Sequence, residues 1–159
     1  MLTGLTEAQC KTVDRLLMDL LIRSESEAVF LCNRGGYILA ESVIREYAQN
    51  DNIAALAAGS FYATREIARL VGEPEFHCVF HQGDHKGIYM QNTRSDLLIV
   101  VVFGGESSPG LTKLCTEEIV GQLDACLVSV DLDNMQMHMQ GMTLEINPDE
   151  RLFVQNVDA

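Results

Sequence analysis

Among the residues of this chain whose types could do chemistry, three of the four histidines, two of the arginines and the five cysteines stand at spacings to be weighed. His77, His81 and His85 recur through what reads as one strand and its following turn. A metal ion needs three or four convergent ligands. Each two-residue step of an extended strand spans about 6.7 Å, so His77 and His81 stand too far apart for one zinc ion. Surface or hydrogen-bonding histidines are expected instead. Arg65 and Arg69 lie one helical turn apart with Glu66 between them. An arginine inserted into another protein's site is one way to stabilise a phosphoryl-transfer transition state. A solvated helix end with local ion pairs is the expected use here. Cys78 follows His77 directly, and adjacent strand residues point to opposite faces, so the two cannot act as nucleophile and base. No Ser, His and Asp fall in a recognisable nucleophile setting. Neither Gly-x-x-x-x-Gly-Lys nor Gly-x-Gly-x-x-Gly occurs, so no nucleotide is expected to bind this chain. Ser107-Ser108 begins a helix that could hold an anion, and a plain cap is expected. The chain therefore reads as a non-enzyme with no catalytic residue, no metal and no cofactor.

The elements that would position these residues belong to one domain. The chain has 159 residues, of which 47% are hydrophobic, enough for a packed core. Its 23 acidic residues exceed 11 basic ones, giving a formal charge of −12. That argues against a phosphate-backbone partner, which calls for a basic patch, and favours a partner with a basic surface. The first residues carry no basic, signal-like segment, and the longest apolar run, Leu97 to Phe103, is far too short to span a bilayer. The cysteines Cys10, Cys32, Cys78, Cys115 and Cys126 are odd in number and scattered, with no Cys-x-x-Cys. Reduced, packed thiols in a cytoplasmic protein are expected.

A first helix is read from Thr6 to Ile22, opened by a capping box of Thr6 and Gln9 and carrying a core stripe of Val13, Leu16, Leu17, Leu20 and Leu21. Strands Ala28 to Asn33 and Tyr37 to Val43 form a hairpin around Arg34-Gly35-Gly36. A second helix spans Asn52 to Val71, with Asn50 or Asp51 as its cap and Gly72 just past its end. That helix is apolar on nearly every side. One stripe is Ile53, Leu56, Ala57, Ser60, Phe61, Thr64 and Ala68, and a second is Gly59, Ala63, Ile67 and Leu70. A helix apolar all round must be covered on more than one side, and a domain this small has little protein to cover both. Strands follow at Phe76 to Gln82, Ile88 to Thr93 and Leu97 to Phe103. The first of them alternates as an edge strand does, and the last is the candidate sheet centre. A last helix opens at Ser107-Ser108-Pro109 and carries its stripe to Val130. The order is α-β-β-α-β-β-β-α. An α+β fold is expected, a five-stranded antiparallel sheet with one helix on one face and two on the other. Residues 1–130 make the domain. Residues 131–159 read as an acidic tail containing Met135, Met137, Met139 and Met142, either solvated or docking through Leu152-Phe153-Val154.

This order, with Leu56-Ala57-Ala58-Gly59, Leu70-Val71-Gly72-Glu73, Glu75-Phe76, Phe80-His81-Gln82-Gly83, Tyr89-Met90, Val100-Val101-Val102-Phe103 and Ser108-Pro109-Gly110-Leu111, resembles the roadblock / dynein light chain family. The closer likeness is to its bacterial MglB-like branch, regulators of a small Ras-like GTPase in polarity and motility. The likeness covers roughly residues 6 to 130. It implies a homodimer in which the second helices pack side by side and the third strands pair across a two-fold into one ten-stranded sheet. Ala54, Ala57, Ala58, Gly59, Phe61, Phe76, Cys78 and Phe80 would then form the dimer interface, burying on the order of 1,600 Å². His81, inside a matching motif, would stabilise a turn. The MglB-like regulators are thought to reposition the GTPase's own catalytic groups without an inserted arginine, and the ridge Tyr62, Arg65, Glu66 and Arg69 would be the GTPase-binding surface. Alternatives are an adaptor that binds without changing hydrolysis, and a PAS-like sensor with a small-ligand pocket.

Overall fold

The computed structural model describes residues 5–144, with side chains described for residues 5–127. Helix α1 (Glu7–Arg23) starts at the expected capping box. Thr6 accepts from the Gln9 backbone, and the Gln9 side chain accepts from the Thr6 backbone. Its stripe Val13, Leu16, Leu17, Leu20 and Leu21 is fully buried. Strands β1 (Ala28–Cys32) and β2 (Ile38–Val43) pair antiparallel. Gly36 in their turn has φ +81°, and a Cβ there would lie 2.6 Å from the Ala55 Cα, so only glycine lets the turn rest on the next helix. That helix is α2 (Asn50–Leu70). Strands β3 (Cys78–Gln82), β4 (Lys86–Asn92) and β5 (Leu98–Gly104) follow, then helix α3 (Pro109–Leu144).

The five strands form one antiparallel sheet in the order β2-β1-β5-β4-β3. β5 is central and β3 is an edge, as its composition predicts. Alternation then sorts the side chains. Phe30, Met90, Leu98, Val100 and Val102 face α2, together with Ala54, Ala57, Ala58 and Phe61. Val29, Leu31, Tyr89, Ile99, Val101 and Phe103 face α1 and α3. One helix thus covers one face and two cover the other. The strands β1 and β5, covered on both sides, lose the polar alternation of a half-exposed sheet.

Most element ends shift by a residue or two from the sequence reading, and some differences matter more. The cap of α2 is Gln49 without a side-chain bond, and Asn50 instead accepts from the Tyr47 backbone N–H, ordering the approach to the helix. β3 begins at Cys78 rather than Phe76, and β4 reaches back to Lys86. The helix α3 does not stop at Val130 but continues to Leu144. The end of the proposed tail, residues 145–159, lies outside the described residues.

Candidate functional site

The surface with the most to offer a partner is the outer side of α2 beside the β3 edge. Leu56, Ile67 and Leu70 are 75%, 52% and 76% exposed, and Gly59, Ala63 and Val71 lie open among them. These residues include the second apolar stripe of the sequence reading, and they follow one side of the helix over its full length. The sheet-facing stripe is built from small residues instead. Ala54, Ala57, Ala58 and Ala68 bring the helix axis close to the sheet, and Phe61 fills the remaining space. Ala54, Ala57, Ala58 and Phe61, expected at the dimer interface, thus pack on their own sheet. They are buried within their own protomer. Gly59 does face outward. Phe76 and Cys78 are half-buried, and Phe80 stacks on Tyr89 at 4.5 Å and lies 6.4 Å from Phe103, on the sheet face away from α2.

The second edge of β3 is unpaired in the described protomer, since β3 bonds only to β4. An edge presents a row of free backbone donors and acceptors. His81 of this strand sits 3.4 Å from the Ser60 hydroxyl, joining β3 to α2 rather than closing a turn. Between them runs a groove of about 370 Å³ lined by Tyr47, Ile53, His81, Lys86, Ile88 and Val102. At its end Lys86 donates to Glu27 at 2.5 Å, and the Tyr47 hydroxyl donates to the same carboxylate. The Lys86 bond, then the Tyr47 bond, hold the Glu27 carboxyl below its ordinary range. Burial, then the Glu27 bond, push Tyr47 up.

The expected GTPase-binding ridge is not a free ridge. Asp96, in the β4–β5 turn at φ +58°, accepts from Arg65 at 3.0 Å and from Arg34 at 3.4 Å. Its carbonyl takes the Tyr62 hydroxyl at 3.4 Å. Arg65 also approaches Glu75 at 3.9 Å and lies 4.9 Å from the Tyr62 ring centre, with Arg34 at 5.3 Å. Burial, then the Asp96 charge, raise the Tyr62 phenol. Arg65 is thus bound into the fold, and its Nε is buried without a hydrogen-bond partner. Only Glu66 and Arg69 of the ridge stand in solvent, paired to each other at 3.0 Å. The stripe of α2 left open is Gly59, Ala63, Ile67 and Leu70, the second apolar stripe of the sequence pattern. Among the described residues no group of His, Cys, Asp and Glu is arranged to hold a metal ion. His77 sits 3.8 Å from Glu75, away from His81 and its Ser60 contact.

The architecture is a five-stranded antiparallel sheet between one helix and a helix pair, with an open apolar helix face beside an open strand edge. The chain belongs to the Roadblock/LC7 domain family, whose model matches residues 24–103. Among solved structures it is similar to MglB of Myxococcus xanthus, at 26% identity and a TM-score of 0.70, over 74% of this chain and 96% of that one. The gliding protein MglB of Thermus thermophilus is similar at 27% identity and 0.72, over 77% and 93%. An MglB described as having a tetrameric arrangement is similar at 26% and 0.74, over 79% and 95%. No curated protein matches the sequence. Among the described residues no helix is long and apolar enough to cross a membrane.

Proposed function

We propose that this protein is a cytosolic homodimer that binds a small Ras-like GTPase and stimulates its GTP hydrolysis by repositioning the GTPase's own catalytic groups. The observation that carries the reading is the MglB-like fold over most of the chain together with the unpartnered apolar stripe of α2 beside the free β3 edge. The stripe and the edge supply a seam between two copies, and the paired helices then offer a platform to the GTPase. The tie of Arg65 to Asp96 supports a mechanism without an inserted arginine, because withdrawing Arg65 would leave Asp96 unpaired. The chain would contribute a surface and no catalytic residue.

The test is single-turnover GTP hydrolysis by a small Ras-like GTPase titrated with this protein. Stimulation of at least roughly tenfold is expected, worth about 1.4 kcal/mol of barrier. The Arg69→Ala variant is expected to stimulate as well as the wild type. Binding without a change in rate would make the protein an adaptor. Neither binding nor stimulation would end the proposal, and loss of stimulation with intact binding in Arg69→Ala would replace repositioning by an inserted arginine.

A further inference from the structure

The groove beside α2 has no part in the proposed function, and its lining is unlike the rest of the chain. Helix α2 lies over β1 and β5, and the same face of β4 emerges from under it toward the β3–β4 turn. Met90 is fully buried in the α2 layer, whereas Ile88, two residues nearer the turn, is half-buried. Ile88 pairs with Val102 across the sheet, and these two make the floor of the groove. Ile53, in the first turn of α2, makes a wall. The volume of about 370 Å³ is that of a small-molecule site, and such sites are mostly apolar with a few fixed polar groups.

The polar groups here are few and fixed. Lys86 donates to Glu27 at 2.5 Å and reaches the Tyr47 hydroxyl at 3.3 Å. An ammonium has three donors, so one remains for a ligand. Its bond to Glu27 comes first among the causes that shift Lys86 up, and it carries its charge throughout neutral pH. Glu27 does not cancel the local cations, because the Arg45 charge also acts on its carboxylate. The Arg45 backbone N–H bonds the Glu27 carbonyl at 3.2 Å, which keeps the two residues together. Charge then selects the ligand. The chain has 23 acidic residues against 11 basic ones, yet among the described residues lining the groove there is no Asp or Glu. The ionisable side chains of that lining are Lys86, His81 and Tyr47.

We propose that this groove binds a small amphipathic carboxylate, a free acid with one apolar chain of medium length and its head on Lys86. The chain of the ligand covers Ile53, Ile88 and Val102, and its carboxylate takes the remaining donor of Lys86. A second copy of this protein fits less well, because it carries the same acidic excess. The site is built within one protomer and does not rest on the GTPase reading.

The experiment is calorimetric titration of the full chain with octanoate, octanol and octylamine, together with the carboxyl NMR shift of octanoate. Octanoate is expected to bind roughly tenfold more tightly than octylamine. Its bound carboxyl should titrate at lower pH than the free acid, because the Lys86 charge favours the ionised form. Lys86→Met is expected to weaken octanoate roughly tenfold and to leave octanol within about twofold, which separates loss of the head contact from loss of the groove. Glu27→Gln, which removes the competing carboxylate, should tighten octanoate. Ile88→Phe, which fills the floor, should abolish binding of octanoate and octanol with thermal unfolding retained. No binding of octanoate would overturn the proposal, as would equal binding of octanoate and octylamine, or equal losses of octanoate and octanol in Lys86→Met. Octanoate that binds Ile67→Asp and not the wild type would overturn it and assign the groove to a second copy. Capture by vesicles of anionic phospholipid without binding of free octanoate would overturn it and assign the surface to a membrane.

Discussion

Glu27 shows how one side chain ties distant segments at the end of the sheet. It precedes β1, yet its carboxylate receives Lys86 from β4 and Tyr47 from the approach to α2. A Cβ on Gly104 of β5 would come within 3.0 Å of it. Because the folded state holds this carboxyl below its ordinary value of 4.5, its contribution to stability is present above that value and is lost as pH falls through the lower, folded one. Lys86 is shifted up, first by the same bond, so its contribution persists through neutral pH and fades only in strong base. Glu27→Gln is therefore expected to lower the urea midpoint by a constant amount across neutral pH, and the gap should close as pH falls below 4.5 and through the lower, folded value. A gap that stays constant into acid would show that the lost interaction is not the ionised one. Cys32 offers a second residue-scale contrast. Burial, then the nearby Glu41 charge, push its thiol up to about 12, so in the folded protein it should remain silent to thiol reagents.

At the scale of elements, α2 is held by two unlike attachments. Its small-residue face lies flat on β1 and β5, while its C-terminal half is tethered through Arg65 and Tyr62 to Asp96 in the β4–β5 turn. Arg65→Ala removes that ion pair and the stacking on Tyr62, and is expected to cost about 1–2 kcal/mol. Arg69→Ala removes only a solvent-exposed pair with Glu66 and should cost less than about 0.5 kcal/mol. Urea unfolding of the two variants checks this, and equal losses would refute the tether. Both apolar stripes of α2 are legible in the sequence, but their assignment is not. Periodicity marks a face without saying what meets it, and the stripe holding the large Leu56 and Phe61 looks like one unit. Phe61 alone turns inward with the alanines, while Leu56, one turn earlier, stands in solvent. The Asp96 hub is illegible for another reason. It joins Arg34, Tyr62 and Arg65 across separations of 31 residues or more, and no local pattern encodes such a pair. Strand order was more accessible, because the unbroken apolar run of β5 and the alternation of β3 differ in how many faces they bury.

On the scale of the whole molecule, the question is what a chain with this much negative charge would gain from the uncharged seam proposed for α2. Two copies bring a formal −24 together, twice the −12 of one chain, so long-range repulsion opposes their encounter. In the proposed dimer the exposed α2 stripe would answer with short-range apolar burial that salt does not screen, and the free β3 edge would add directional backbone bonds. Association through this face should therefore strengthen slightly as salt rises, whereas capture of a GTPase through a basic surface should weaken over the same range. Ile67→Asp places a charge in the middle of the stripe at a position 52% exposed in the protomer, so folding should be little affected. The pairing should lose about 2 kcal/mol, roughly thirtyfold in affinity. Sedimentation at low and high salt measures both effects. An Ile67→Asp protein that keeps its full mass would remove α2 from the seam, and a self-association that dissolves in high salt would show that charge, not burial, joins the copies.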